Sequence, residues 1–487
     1  MSARRRSVAA SVGNLLPRIA GGKLPRLPFP IRFWDGSVLP TTGAMLTAER
    51  SSNGRSANDS NGRSANGRPG APHAAAVITV SRRAVAHLLH TPGQLGLARA
   101  WVDGSLGIEG DLEAVLAARH EFDGVSLSRR DLALVAIEAV RAAGPGILRR
   151  PPVPSIESRV RGSRHSQPRD GEAVRHHYDL SNEFYRLVLG PSMVYSCAYF
   201  EHPNDPLERA QQRKLDLICR KLMLAPGERL LDVGCGWGSL ALHAARQYGA
   251  EVLGITLSEP QAQFAGERAA ELGLERQVRF EVADYRELSG QRFDKIASVG
   301  MFEHVGQAQL TDYFDRLRRL LTPGGLLLNH GIGRLAPHRP QTDEFIARYI
   351  FPDGELLPLS EVLAAVEHAR LEPRDVESLR EHYPLTLRAW TANLRANRAE
   401  AVAVVGAERV RTWELYMLAS ALGFEDAEIT VYQVLAARGD GPHGLPLDRL
   451  SLLAPRSASA PAVAGDRSAA DQVPISGNDR PARGGTM

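Results

Sequence analysis

From Gly227 onward the apolar positions fall into short runs separated by stretches of helical periodicity. The run 228–234 (ERLLDVG) is short, apolar and ends in glycine, and 239–249 then spaces its apolar residues along one helical face. Residues 250–258 and 259–273 repeat that pair, and 277–285, 293–302 and 324–332 supply three further runs of strand character. Residues 309–325 form an amphipathic helix closed by Thr-Pro-Gly-Gly, a helix-stopping sequence. Strands alternating with helices at this spacing predict βαβ units and a parallel sheet. Beyond Gln341 the pattern is mostly helical until 427–437 (AEITVYQVLAA), which reads as a last strand.

The N-terminal half is less regular. Residues 31–37 (IRFWDGS) read as a strand entering a turn, 76–90 as renewed order, and 95–118 as a small helical or mixed unit. Between them, 51–75 holds an eight-residue repeat, NGRSANDS followed by NGRSANGR. Asn, Gly, Ser and Arg bury too little apolar area to offset the ordering of their backbone, so this insert is expected to be disordered. The same holds for the Ser-, Ala-, Pro-, Gly- and Arg-rich tail 454–487. The expected organisation is a basic segment 1–30, a small N-terminal domain 31–148 carrying the insert, a basic linker 149–172 and an α/β domain 173–440. In and around the linker Arg149, Arg150, Arg159, Arg161, Arg164 and Arg169 are opposed by Glu157, Asp170 and Glu172. Two readings stand: a solvated connection, or a basic strap over anionic headgroups at about 1 kcal/mol per residue near a charged surface.

Composition narrows the class. A chain of 487 residues allows about three domains at roughly 150 residues each. Its 3 cysteines have neither disulfide-framework nor zinc spacing, which points to a reducing cytosol and no metal site. No apolar run reaches the ~20 residues that span a bilayer, and the basic N-terminus lacks an uninterrupted signal-peptide core. A net charge of +4 does not by itself separate nucleic acid from anionic lipid as a partner.

The glycine-rich run LLDVGCGWGSL places Asp232, Gly234, Gly236 and Gly238 in a strand-to-helix turn within a βαβ unit, where a ligand can approach the backbone closely. The spacing is Asp-x-Gly-x-Gly-x-Gly rather than Gly-x-Gly-x-x-Gly, and the second strand ends in GITLS without a carboxylate for ribose hydroxyls. Both details disfavour a dinucleotide oxidoreductase. The loop resembles that of S-adenosylmethionine-dependent methyltransferases.

HYDLSNEFY (177–185), YSCAYF (195–200), LLDVGCGWG (230–238), ITLSEPQ (255–261), GMFEHVG (300–306), YIFPDGELLP (349–358) and HYPLTLRAW (382–390) follow one another in a specific order. Together they resemble the cyclopropane-fatty-acyl-phospholipid synthases and their mycolic acid relatives, over about 31–438 and most strongly from His177. The resemblance implies a Rossmann-like S-adenosylmethionine-dependent methyltransferase core of α/β class with a parallel-rich sheet and a smaller N-terminal domain. It further implies transfer of the sulfonium methyl to a cis alkene in a phospholipid acyl chain. A carbocation results, and loss of a proton to a bound bicarbonate closes the ring.

On the same resemblance the bicarbonate pocket comprises Cys197, Glu303, His330, Ile332 and Tyr383, with Cys197 and Ile332 contributing backbone groups. On spacing alone Cys197 would be a small apolar filler. The cofactor contacts carried over are Tyr195, Ser196, Asp232, Gly234, Gly236, Gly238, Thr256, Leu257, Ser258, Gln261 and Tyr285, with Gln261 on the ribose in place of the missing carboxylate. Tyr285 also reads as ordinary core, Ser258 as a helix N-cap, and Trp237 and Trp390 as packing; His304 is expected behind Glu303. The rivals are a methyltransferase that leaves a methyl or methylene branch, and a non-catalytic scaffold on the same fold. The resemblance also implies a homodimer; the cysteine usage and the lack of a spanning run, with a lipid substrate, lead to the expectation of a cytoplasmic protein held peripherally at the inner face of the membrane, with no nucleic-acid partner.

Overall fold

The computed structural model describes residues 7–19, 27–42, 76–122, 128–158, 169, 181–335 and 344–454. The insert 51–75, the linker arginines Arg159, Arg161 and Arg164, residues 177–180 of the first motif and the tail from 455 lie outside the described residues.

Two sheets are present among these residues. In the N-terminal one, β1 (Ile31–Phe33) lies between β2 (Val38–Leu39) and β3 (Val77–Val80), and β4 (Leu106–Glu109) closes the far edge. The β1–β3 pair is parallel and the others antiparallel. The helix Val8–Leu15, capped by the Ser7 hydroxyl, packs Val8 and Ala9 against Leu27, Phe33 and Leu39. It therefore belongs to this unit's core, although it precedes the boundary expected at residue 31.

The larger sheet contains β5 (Arg229–Val233), β6 (Glu251–Thr256), β7 (Val278–Val282), β8 (Phe293–Val299), β9 (Leu321–Arg334), β10 (Leu371–Ser378) and β11 (Ile429–Arg438). Their order is β10-β11-β9-β8-β5-β6-β7. The pairs from β9 through β8, β5 and β6 to β7 are parallel, while β11 runs antiparallel to both of its neighbours. Alternate residues of the central strands serve opposite faces. Leu230, Val252, Ala297 and Leu328 pack with the helices Leu207–Lys221 and Ser239–Tyr248. Leu231, Leu253, Ile296 and Leu327 pack with Leu310–Leu320 and Leu359–His368. A sheet covered on both faces needs such doubly apolar strands.

The mostly helical stretch expected after Gln341 contains one strand, β10. Its sequence, LEPRDVES, carries a proline and alternates charge with small apolar groups. Such a strand survives at an edge, where Pro373 costs no ladder bond, and the register shifts between Pro373 and Asp375.

The helices Asn182–Leu189, His382–Ala396 and Ala407–Glu425 form a cap rich in aromatic side chains, where Phe184, Tyr185, Trp390, Trp413 and Tyr416 share one buried cluster. The N-terminal half joins this cluster through the helix Gln94–Val102, which contributes Leu95, Ala98 and Val102. Its Arg99 grips buried Glu157 through two hydrogen bonds of 2.8 and 2.7 Å, and Tyr349 Oη donates to the same carboxylate at 2.9 Å.

Candidate active site

Strand β5 has β6 on one side and β8 on the other, so the chain's winding reverses beside it. In open α/β sheets a ligand crevice forms at the carboxyl ends of strands at such a point. A cleft lies there, enclosing about 1520 Å³ of non-atom space with its open mouth included.

The loop after β5 forms the cleft's floor. Gly234 and Cys235 both donate backbone hydrogen bonds to the Ile255 carbonyl at 2.9 Å, which ties the loop to β6. Gly236 has φ +52° and nothing within 4 Å of where a Cβ would stand, so the backbone faces open space. Gly238 differs. A Cβ there would lie 2.5 Å from the Phe280 ring and 2.8 Å from Ala265, so this glycine lets helix and strand approach each other.

Of the residues expected to hold the cofactor, Tyr195, Ser196, Asp232, Gly234, Gly236, Thr256, Leu257, Gln261 and Tyr285 line the cleft; Gly238 and Ser258 do not. Thr256 Oγ1 donates to Gln261 Oε1 at 2.8 Å and accepts the Ser258 amide at 3.2 Å, which fixes the turn after β6. Ser258 stands at the N-cap of the helix Glu259–Glu271, but its hydroxyl makes no capping bond. Tyr285 packs edge-on against Tyr313 at 4.9 Å and carries the Arg286 guanidinium over its ring at 5.5 Å. Asp232 is buried, and its Oδ2 has no hydrogen-bond partner. Burial raises its pKa to about 7, against the opposing pull of the nearby Lys214 charge.

The five residues expected around an anion do not line this cleft. They lie just behind it. Glu303 follows the cleft-lining Met301 and precedes His304, which lines the cleft itself and tilts against Phe351 at 5.5 Å. Glu303 Oε1 accepts the Ile332 amide at 2.7 Å, while Oε2 is buried without a partner. The Ile332 N–H thus orients Glu303. Burial raises the Glu303 pKa to about 7, with the Ile332 amide acting against that rise.

His330 lies two residues back along β9. Its Nδ1 faces the Gln433 amide nitrogen at 3.2 Å, and its Nε2 is buried without a partner. With the Gln433 amide in this orientation its NH₂ donates, Nδ1 accepts and the proton of the neutral ring stands on Nε2. Burial, followed by the charges of Lys214 and Lys221, lowers the His330 pKa to about 3 and keeps the ring neutral. In register, Gln433 stands opposite His330 and Glu377 opposite Gln433, so a polar row crosses the sheet.

Cys197 and Tyr383 share the aromatic cluster, with Ile332 packed against it. The Cys197 thiol is fully buried, lies 3.7 Å from the Leu379 carbonyl and 3.3 Å from that of Ala198, and is pushed far above its usual pKa by burial. Tyr383 stacks at a tilt on Phe424 at 4.6 Å and stands edge-on to Trp390 at 6.3 Å. The structure therefore joins Glu303 directly to Ile332 and places Ile332 with Cys197 and Tyr383. The His330 side chain bonds to none of the other four. Trp390 is fully buried packing; Trp237 packs on Tyr185 at 4.5 Å and also lines the cleft.

Lys214 is the residue that sequence reasoning missed. It lines the cleft, is 2% exposed and donates to Ser196 Oγ at 2.7 Å. The available signal was its place on the apolar face of an amphipathic helix, one turn from Ala210 and Ile218.

The strand order with one reversed strand, and a glycine loop flooring a switch-point cleft, define a Rossmann-like fold of the S-adenosylmethionine-dependent methyltransferases. The family model described as mycolic acid cyclopropane synthetase matches residues 165–434, and the chain belongs to that family. It is 41% identical over 385 residues to a Pseudomonas putida protein named "Probable fatty acid methyltransferase", covering 78% of this chain and 91% of that protein. It is 40% identical over 265 residues to the cyclopropane-fatty-acyl-phospholipid synthase of Escherichia coli, covering 54% of this chain and 67% of that one. Among solved structures, the Mycobacterium tuberculosis cyclopropane synthase MmaA2 superposes with a TM-score of 0.53 at 36% identity, covering 55% of this chain and 98% of that one. The mycolic acid cyclopropane synthase CmaA1, complexed with SAH and CTAB, does so with a TM-score of 0.52 at 35% identity, covering 55% and 98%.

Proposed function

We propose that this protein transfers a methylene group from S-adenosylmethionine to the cis double bond of an unsaturated phospholipid acyl chain and forms a cyclopropane ring. The observation that carries this reading is two buried polar atoms without partners, Glu303 Oε2 and His330 Nε2, in residues joined to the cleft-lining His304 and Gly300. Open space at Gly236, the unpartnered Asp232 Oδ2 and the Thr256–Gln261 turn fit the cofactor. When bound, S-adenosylmethionine supplies an electrophilic sulfonium methyl, and bicarbonate supplies a base.

The chain's own residues would do the following. Glu303, with a pKa near 7, carries a proton on part of the molecules at neutral pH and can donate from Oε2. Neutral His330 donates from Nε2–H. Two such donors suit a small oxyanion. Cys197, Tyr383 and Trp390 present an apolar wall that excludes water, which would otherwise trap the cation formed when the methyl carbon bonds to the alkene. The aromatic faces of Tyr383 and Trp390 favour nearby positive charge. Loss of a proton from the added methyl then closes the ring.

Among the described residues no helix is long and apolar enough to cross a membrane. This reading therefore has the enzyme dock peripherally at the inner face of the membrane, with the linker arginines as candidate contacts for anionic lipid and a homodimer as the assembly. Purified protein with S-adenosylmethionine and unsaturated phospholipid vesicles tests the reaction by mass spectrometry. The expected acyl chain gains the mass of one CH₂ and no longer reacts as an alkene. A methyl- or methylene-branched chain that keeps a double bond is the second reading, favoured by the name of the Pseudomonas putida relative, which aligns over 78% of this chain. A product that gains the same mass and still reacts as an alkene would establish that reading instead.

A further inference from the structure

One face of the large sheet carries polar side chains where their neighbours along the strands are apolar. His330 follows Leu328 by two residues on β9, and Gln433 precedes Leu435 by two on β11. Both therefore turn toward the helix Leu207–Lys221, against which the two leucines pack. From that helix Lys221 reaches the same row and pairs with Glu377 of β10 at 2.6 Å. Gln433 is fully buried, does not line the cleft, and meets the His330 ring at Nδ1, 3.2 Å away.

Charge on the facing helix sets the protonation of that ring. Burial, and then the ammonium groups of Lys214 and Lys221, oppose a positive charge on His330. Burial lowers the Lys214 pKa to about 8, so this ammonium persists at neutral pH. The ring is held neutral and has one proton for two nitrogens. Whichever nitrogen accepts a hydrogen bond leaves the proton to the other. The Gln433 NH₂ at Nδ1 sends it to Nε2, the buried atom without a partner. Turning the amide over would leave its whole NH₂ buried without an acceptor among the described residues, where the present orientation leaves the single oxygen Oε1 unpaired.

We propose that Gln433 is a positioning residue of this site: by occupying Nδ1 it keeps the proton of His330 on Nε2, and so supplies a hydrogen-bond donor where the other tautomer would present a lone pair to an oxyanion. This rests on the reading that His330 serves a small anion during the reaction. Gln433 acts through the ring alone.

Gln433→Glu tests the assignment, because the introduced carboxyl has nearly the shape of the amide and can donate or accept. Protonated, it donates to Nδ1 as the amide does. Ionised, it accepts the ring proton at Nδ1 and leaves Nε2 with a lone pair. The carboxyl and the ring share their protons, so titration of the pair removes the Nε2 proton whichever partner is taken to hold the other. Lys214 and Lys221 on the helix, Glu377 on β10 and Glu303 bound to Ile332 also surround this row; they are common to both proteins and cancel in the ratio of variant to wild type. NMR of the full chain, isotope-labelled at its histidine ring nitrogens, reads the ring, with His330 identified by its absence from His330→Gln. Turnover of S-adenosylmethionine on unsaturated phospholipid vesicles reads the consequence. Wild type should show Nε2–H and a bare Nδ1 across the neutral range. In Gln433→Glu the proton should move to Nδ1 as pH rises, and turnover relative to wild type should fall about tenfold per pH unit beyond the midpoint and recover at low pH. A wild-type ring protonated at Nδ1, or a ring in Gln433→Glu that keeps the wild-type state at every pH, would overturn the proposal; the wild-type spectrum decides even if the variant does not fold. A ring that moves its proton while the turnover ratio stays constant would instead refute the reading that His330 serves the reaction.

Discussion

Replacing Glu303 with glutamine should abolish most of the proposed ring-forming activity and, above neutral pH, stabilise the protein. The carboxyl's pKa rises from 4.5 to about 7 on folding because burial penalises its charged form. A raised carboxyl pKa means that the native state binds more protons than the unfolded chain between those two values. Stability is thus fully present below about pH 4.5 and is lost as pH rises through about 7. At about 1.4 kcal/mol per tenfold change, the full penalty is about 3 kcal/mol, of which about 2–3 kcal/mol develops between about pH 5 and pH 8. Glutamine keeps an oxygen for the Ile332 amide, now 2.7 Å from Oε1, and it cannot ionise. The advantage of Glu303→Gln over wild type should therefore grow with pH. At roughly 2–4 °C per kcal/mol for a domain of 150–250 residues, it amounts to several degrees in Tm near pH 8. Asp232 and Lys214 also titrate in this range, but they are common to both proteins and cancel in the difference. Thermal melts of both proteins near pH 5 and near pH 8, beside turnover and cofactor affinity at one pH, make the test. A Tm difference independent of pH would refute the burial argument, and wild-type turnover in the mutant would remove Glu303 from the chemistry.

Three further outcomes are expected. Cys197→Ser should keep substantial activity, and thiol reagents should leave the native enzyme active, because the thiol is fully buried with its pKa pushed up; a covalent acyl or methyl adduct trapped on Cys197 would contradict this. Gly238→Ala should destabilise the fold by about 1–3 kcal/mol in denaturant melts because its Cβ meets the Phe280 ring, whereas Gly236→Ala should weaken S-adenosylhomocysteine binding more than it lowers stability; equal effects would mean that the two glycines share one role. Arg99→Met should cost about 3–5 kcal/mol in unfolding experiments, because it leaves Glu157 buried beside Tyr349 without its guanidinium; a loss below about 1 kcal/mol would show that the pair is dispensable.

The parallel core was legible because both faces of its strands are buried, so β5, β6, β8 and β9 stand out as apolar runs between amphipathic helices. Strand β10 was not. Its burial alternates, its sequence is charged, and what makes it a strand is its pairing with β11, a contact between segments far apart in the chain. The packing of the helix before residue 31 was not legible for a similar reason. Val8–Leu15 reads as part of a basic leader until Phe33 and Leu39 are brought beneath it.

The candidate site divides along the same physical line. Asp232 near the end of β5 and Gly236 in the loop after it are marked by local chemistry, since tight turns and ligand approach demand particular residue types, whereas Thr256 at the end of β6 and Gln261 in the helix behind it entered through resemblance. Glu303, His330 and Cys197 entered through resemblance, because nothing in their spacing predicts a buried carboxyl with one free oxygen or a neutral imidazole held by Gln433. Lys214 entered through neither route. A lysine among apolar helix positions ordinarily extends its stem and keeps its head in water. Here the helix packs under the sheet, and the buried ammonium ends on Ser196 at the cleft lining, within reach of the Asp232 charge. The polar positions that hydrophobic patterning handles worst are thus the ones this fold buries in and next to the cleft.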